Sequence, residues 1–210
     1  MVSSPQVSLP SSSSTVSTSF GFELAGDYAF YDKNSNPSVN PKYYQHIISS
    51  AKKIVIWDPH FMENVDGELF EDVKNKDVEI EILTVCSSFP SKQIEQHVGQ
   101  LRDNIKNVLN KSGITNYNGN IFAFKHNKVY DWKGDYLYIC HDRFLIVDDS
   151  MAYLVGASMN NQVSTDKSFG IMRIDKNNNY DVFKLIVDKY TWLKSKFLST
   201  KNGWRTAIKP

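Results

Sequence analysis

Ile94, Val98, Leu101, Ile105 and Val108 recur at steps of 4, 3, 4 and 3 residues, the period of an amphipathic helix, and this stretch lies between two strand-like runs. Upstream, Val78-Glu79-Ile80-Glu81-Ile82 alternates strictly before Leu83-Thr84-Val85, which predicts a strand half exposed at its start. Downstream, Asn118-Gly119 reads as a turn and Ile121 to Phe124 as a further strand. A helix set between strands in this way confines the chain to the α/β class.

The flanking segments extend the same picture. Asn40-Pro41 reads as a helix cap followed by a first-turn proline, and Tyr44, Ile47, Ile48 and Ala51 continue at helical spacing. The apolar run Ile54-Val55-Ile56-Trp57, ended by Asp58-Pro59, predicts a buried strand, and Leu69, Phe70 and Val73 a short helix. Tyr136 to Val147 and Met151 to Val155 predict two strands joined by a turn at Asp148-Asp149-Ser150. Ile171 to Ile174 predicts a strand, and Phe183, Ile186, Tyr190, Leu193 and Phe197 a closing helix. The expected architecture is a mixed β-sheet flanked by helices, with any ligand site beyond the strand ends.

The first 19 residues hold nine serines, two threonines and no charge, so residues 1–19 are expected to be a disordered tail or linker and 20–210 one folded domain. A linker would suit a fused or partner domain on its N-terminal side. The start has no basic and apolar leader and no run approaches about 18 apolar residues, so a soluble, cytoplasmic protein is expected. Cys86 and Cys140 sit in apolar runs without metal spacing and read as free buried thiols. The net charge of +1 excludes a strong overall field. Residues 181–210 are nonetheless net +5, which suits either phosphate contact or a solvated helix face.

Chemistry concentrates in two segments. In Leu137-Tyr138-Ile139-Cys140-His141-Asp142-Arg143-Phe144-Leu145-Ile146-Val147-Asp148, His141 and Arg143 would share one face of a strand, where burial without partners is costly and an anion site would supply them. In Val155-Gly156-Ala157-Ser158-Met159-Asn160, Ser158 and Asn160 would share a face and could donate hydrogen bonds to phosphate oxygens. His60 reads either as a solvent-facing turn residue or as a lining residue of the same cleft. Tyr130, Trp132, Tyr136 and Tyr138 suit core packing better than base stacking.

His141-x-Arg143-x4-Asp148 followed by Gly156-Ala157-Ser158-Met159-Asn160 resembles the H-x-K-x4-D and G-S-x-N signature of the phospholipase D superfamily, and residues 51–61 resemble the helix and strand that open that fold. Two positions depart from the pattern: Arg143 stands where the family has lysine, and Ala157 separates glycine from serine. The resemblance implies a phospholipase D-like fold and a metal-independent phosphodiesterase without cofactor, acting on DNA or RNA. His141 would attack phosphorus, and Arg143, Ser158 and Asn160 would hold the non-bridging oxygens. Asp148 would set the histidine's orientation or protonation, and Asp166 is a further acidic candidate. One signature per chain, with no internal repeat, implies a homodimer with a shared site. The alternative is a catalytically silent phospholipase D-like domain, similar to the C-terminal domain of MIT-domain proteins, that binds phosphoinositide membranes or protein partners.

Overall fold

A computed structural model describes residues 16–17, 23–24, 28–31, 39–61, 67–86, 90–125, 128–130, 136–138, 142–156, 158–159, 169–199 and 203–210. Strands β1 (Val16–Ser17) and β2 (Glu23–Leu24) form a small antiparallel pair, so pairing begins inside the segment expected to be a tail. The main elements are β3 (Tyr28–Tyr31), α1 (Val39–Ile48), β4 (Lys53–Trp57), a 3-10 turn (Glu68–Phe70), β5 (Glu79–Val85), α2 (Ser91–Lys111) and β6 (Asn118–Phe124). They are followed by β7 (Lys128–Tyr130), β8 (Tyr136–Tyr138), β9 (Arg143–Val147), β10 (Met151–Val155), β11 (Phe169–Asp175), α3 (Tyr180–Ser199) and β12 (Gly203–Ile208).

Eight strands form one mixed sheet in the order β12-β6-β5-β4-β9-β10-β11-β3. β4, β5 and β6 run parallel, as they must when α2 carries the chain from β5 across to β6, and every other pairing in the sheet is antiparallel. The strand side chains alternate between two cores. On one face Ile54, Ile56, Ile80, Ile82 and Leu145 meet Ile94, Val98, Leu101 and Ile105 of α2, together with Tyr44 and Ile48 of α1. On the other, Val55, Trp57, Phe122 and Ile146 meet Phe183, Tyr190, Leu193 and Phe197 of α3. The helical periodicities seen in sequence are these two packing stripes.

Several expectations change. The run from Tyr136 to Val147 is two strands, because β8 finds its backbone partners in β7, with Tyr130 opposite Tyr136, while β9 belongs to the main sheet. Asn118 and Gly119 are strand rather than turn. A Cβ on Gly119 would lie 1.8 Å from the carbonyl oxygen of Ile80, so glycine there permits close approach of β5. Glu81 is only 3% exposed: the polar face of the alternating run lies under α3 and accepts hydrogen bonds from Tyr190 Oη at 2.9 Å and from Lys194. Strand β12 was not anticipated from the sequence. It brings Arg205 to Asn120 and over the Phe122 ring, so part of the basic C-terminal stretch serves packing. Among the described residues no helix is long and apolar enough to cross a membrane.

Gly119→Ala is expected to weaken the β5–β6 ladder and destabilise the fold by about 2–4 kcal/mol. Gly99→Ala, in α2 with the nearest atom 4.0 Å from its new Cβ, should stabilise by about 0.5–1 kcal/mol. Urea midpoints of the two variants check this opposition of sign.

Candidate functional site

The site grows from the carboxyl end of β4. Trp57 pairs with Phe144 of antiparallel β9, and continuing that register by one residue sets Asp58 opposite Arg143. Trp57 also pairs with Leu83 of parallel β5, and the same step sets Asp58 beside Thr84. Thr84, Asp58 and Arg143 thus form a row across three strands, on the sheet face covered by α1 and α2. That row lies at the carboxyl ends of the parallel strands, the side on which open α/β sheets place their ligands.

Asp58 is fully buried. Its Oδ2 accepts hydrogen bonds from Ser158 Oγ at 2.6 Å and from the Met159 amide at 2.9 Å, and its Oδ1 accepts from the His60 amide at 2.9 Å. Arg143 Nε stands 3.5 Å from Oδ1, an ion-pair contact without hydrogen-bond geometry, and Nε is a buried donor without a hydrogen-bond acceptor among the described residues. Thr84 Oγ1 is likewise buried with no hydrogen-bond partner among the described residues. Loss of water pushes the Asp58 carboxyl above its ordinary value, and the bonds from Ser158, His60 and Met159 and the charge of Arg143 offset this only in part.

The residues predicted from sequence are distributed unevenly. Arg143 and Ser158 meet at Asp58. His60 contributes its backbone amide there, while its side chain is exposed in the turn after β4, which matches the turn reading. Ser158 has one hydroxyl proton, and donating it to Asp58 leaves that hydroxyl an acceptor, so the expected phosphate donor instead holds a carboxylate. The shared strand face assumed for Ser158 and Asn160 does not extend that far, because β10 ends at Val155. His141, Asn160 and Asp166 lie outside the described residues.

Asp148 stands at the other end of β9, about 16 Å from Arg143 at 3.3 Å per residue. Its Oδ1 accepts from the Lys52 and Lys53 amides at 2.7 and 2.8 Å, and its own amide donates to Lys53 O at 3.0 Å. Asp148 and Asp149 have φ of 54° and 51°, the left-handed region that aspartate tolerates better than most residues. Its carboxylate thus closes the β9–β10 turn against the start of β4, and the expected role of Asp148 toward His141 falls on a residue outside the described ones. Cys86, at the end of β5, donates to Phe124 O at 3.0 Å, and burial pushes its thiol up to about 12, so it is no nucleophile near neutral pH. Among the described residues no three His, Cys, Asp or Glu side chains are grouped to hold a metal.

Because the folded state holds the Asp58 proton more tightly than the unfolded chain, wild-type stability should fall as pH rises from near 3.8 toward the raised value. Asp58→Asn removes that slope but leaves one amide facing an NH2 group, a cost of about 1–3 kcal/mol. The variant should therefore be less stable than wild type at pH 5, with the deficit shrinking toward pH 8 in denaturant titrations. A deficit that widens with pH would contradict the raised carboxyl.

No protein-family model and no curated protein matches this sequence. Among solved structures, NucT from Helicobacter pylori matches over 80% of this chain and 96% of its own, at 16% identity and a TM-score of 0.50. Nuc from Salmonella typhimurium, a phospholipase D family member, covers 85% of this chain and 95% of its own, at 13% identity and a TM-score of 0.44. TrmBL2, an archaeal chromatin protein with a novel mode of DNA binding, covers 82% of this chain and 54% of its own, at 11% identity and a TM-score of 0.42. At such identities the likeness concerns architecture: the chain shares with NucT an α/β fold, a mixed sheet flanked by helices.

Proposed function

We propose that this chain is a metal-independent phosphodiesterase of the phospholipase D type, acting on DNA or RNA with an active site shared by two copies. The observation that carries the reading is Arg143: a guanidinium rooted on the buried Asp58 carboxylate and 20% exposed, at the strand ends where such a fold takes its ligand. Arginine can hold phosphate oxygens through two parallel hydrogen bonds.

His141, two residues before Arg143, attacks phosphorus and forms a phosphohistidine while the bond to the leaving oxygen breaks. The same histidine of a second copy protonates that oxygen, and water then hydrolyses the phosphohistidine. Imidazole suits both tasks because it titrates near neutral pH. Arg143 and Asn160 stabilise the charge on the non-bridging oxygens. Asp148 anchors the strand that carries Arg143, and no part is given to Asp166.

A second reading, a phosphate-binding domain without turnover that engages phosphoinositide membranes, is favoured by one observation. Ser158 and Asp148, both assigned to chemistry by the resemblance, spend their hydrogen bonds on protein groups.

Incubation with single- and double-stranded DNA, RNA and bis-(p-nitrophenyl) phosphate in EDTA separates the readings. The enzyme reading expects cleavage that falls by about a thousandfold or more in His141→Ala, the scale on which nucleophile removal acts. No turnover in wild type, with retention on phosphoinositide liposomes, would establish the second reading instead. A shared site also requires a dimeric mass in light scattering at micromolar concentration, and a monomeric mass with full activity would exclude it.

A further inference from the structure

We infer that Asp58 is the positioning residue of the phosphate site and that its carboxylate makes arginine, rather than lysine, the cation that works at position 143. The inference rests on the phosphate-binding reading above and specifies how that site is held.

The carboxylate is fully buried and tied to two segments besides Arg143: the turn after β4 through the His60 amide, and the segment after β10 through Ser158 Oγ and the Met159 amide. It therefore cannot turn away from β9, and whatever stands at position 143 must face it. Arg143 faces it with Nε, at 3.5 Å, and Asp58 is the guanidinium's only partner among the described residues. Guanidinium is suited to this because its nitrogens form a rigid fork. With Nε toward the carboxylate, the N–H groups of Nη1 and Nη2 remain for a second anion.

Lysine has one nitrogen. At position 143 its ammonium would be drawn to the buried carboxylate, since leaving a buried charge without its partner is costlier than forgoing an exposed contact. The same ammonium would then be withdrawn from the ligand. The departure from the family's lysine and the buried aspartate across the ladder are thus two halves of one arrangement. Ser158 belongs to it as well: its hydroxyl secures Asp58 rather than a phosphate oxygen.

The test is a double-mutant cycle read by titration with inorganic phosphate, on wild type, Arg143→Lys, Asp58→Asn and the double variant. The exchange rate of the arginine Nε–H is followed by NMR alongside. Arg143→Lys is expected to weaken phosphate binding about tenfold in the wild-type background and by less than about threefold beside Asp58→Asn, a coupling of the size seen between contacting charged groups. Buried and ion-paired in wild type, the Arg143 Nε–H should exchange slowly there and faster in Asp58→Asn, where the charge that holds it in place is gone. Asp58→Ser provides a second background if the asparagine variant does not fold. Equal losses from Arg143→Lys in both backgrounds, or unchanged Nε–H exchange without the carboxylate, would overturn the inference. Wild type that binds no phosphate would instead overturn the function proposed above, while the Nε–H exchange still judges the pairing.

Discussion

A carboxylate removed from water must have its lone pairs met, and Asp58 meets this demand by gathering the ends of three sheet elements around itself. Its oxygens accept hydrogen bonds from the turn after β4 and the segment after β10 and form an ion pair with the guanidinium that opens β9. Most of these partners are distant in sequence: Ser158 and Asp58 are 100 residues apart. The arrangement at the strand ends is therefore a consequence of the β4, β9, β10 pairing, and it in turn penalises any shift of that pairing. Losing one partner would leave a buried polar group unsatisfied, which costs more than the bond itself contributes.

The sheet has a second buried carboxylate, Glu81, and the contrast between the two separates structure from function. Glu81 receives Tyr190 Oη and Lys194 from α3, and those bonds fasten the helix to the sheet, far along β5 from the strand ends. Burial and the neighbouring carboxylate push the Tyr190 hydroxyl well above its ordinary range, so it stays a donor. Asp58 instead sits beside two buried donors without hydrogen-bond acceptors among the described residues, Arg143 Nε and Thr84 Oγ1. Unsatisfied donors in a buried row are rare in folded proteins, and two of them flank Asp58 on this face of the sheet.

How much of this the sequence disclosed follows from the range over which each signal acts. The helices α2 and α3 were legible because their stripes repeat within a single segment, and β4, β5 and β10 because apolar runs of that length are strands. Gly119 misled, since a glycine after asparagine has the composition of a turn, and only the Ile80 backbone across the ladder explains it. Glu81 misled because alternation reveals a two-faced strand but not which helix lies over the second face. The role of Asp58 is not legible in the sequence, because it depends on Arg143, Ser158 and Met159, 85 and more residues away. An aspartate directly after a buried strand and before proline is the only local trace it leaves.

The signature spacing itself has a structural content. Arg143 and Asp148 are five residues apart, which is the length of β9. One therefore meets β4 at its carboxyl end through Asp58, and the other meets β4 at its amino end through the Lys52 and Lys53 amides. A strand pinned to its neighbour at both ends cannot slip. Slippage by one residue would turn Leu145 and Val147 out of one core and carry Arg143 to the face beneath α3, away from the row it shares with Asp58 and Thr84. On this account the aspartate of the signature acts on register, keeping the cation at the far end of the strand on the face it shares with Asp58 and Thr84.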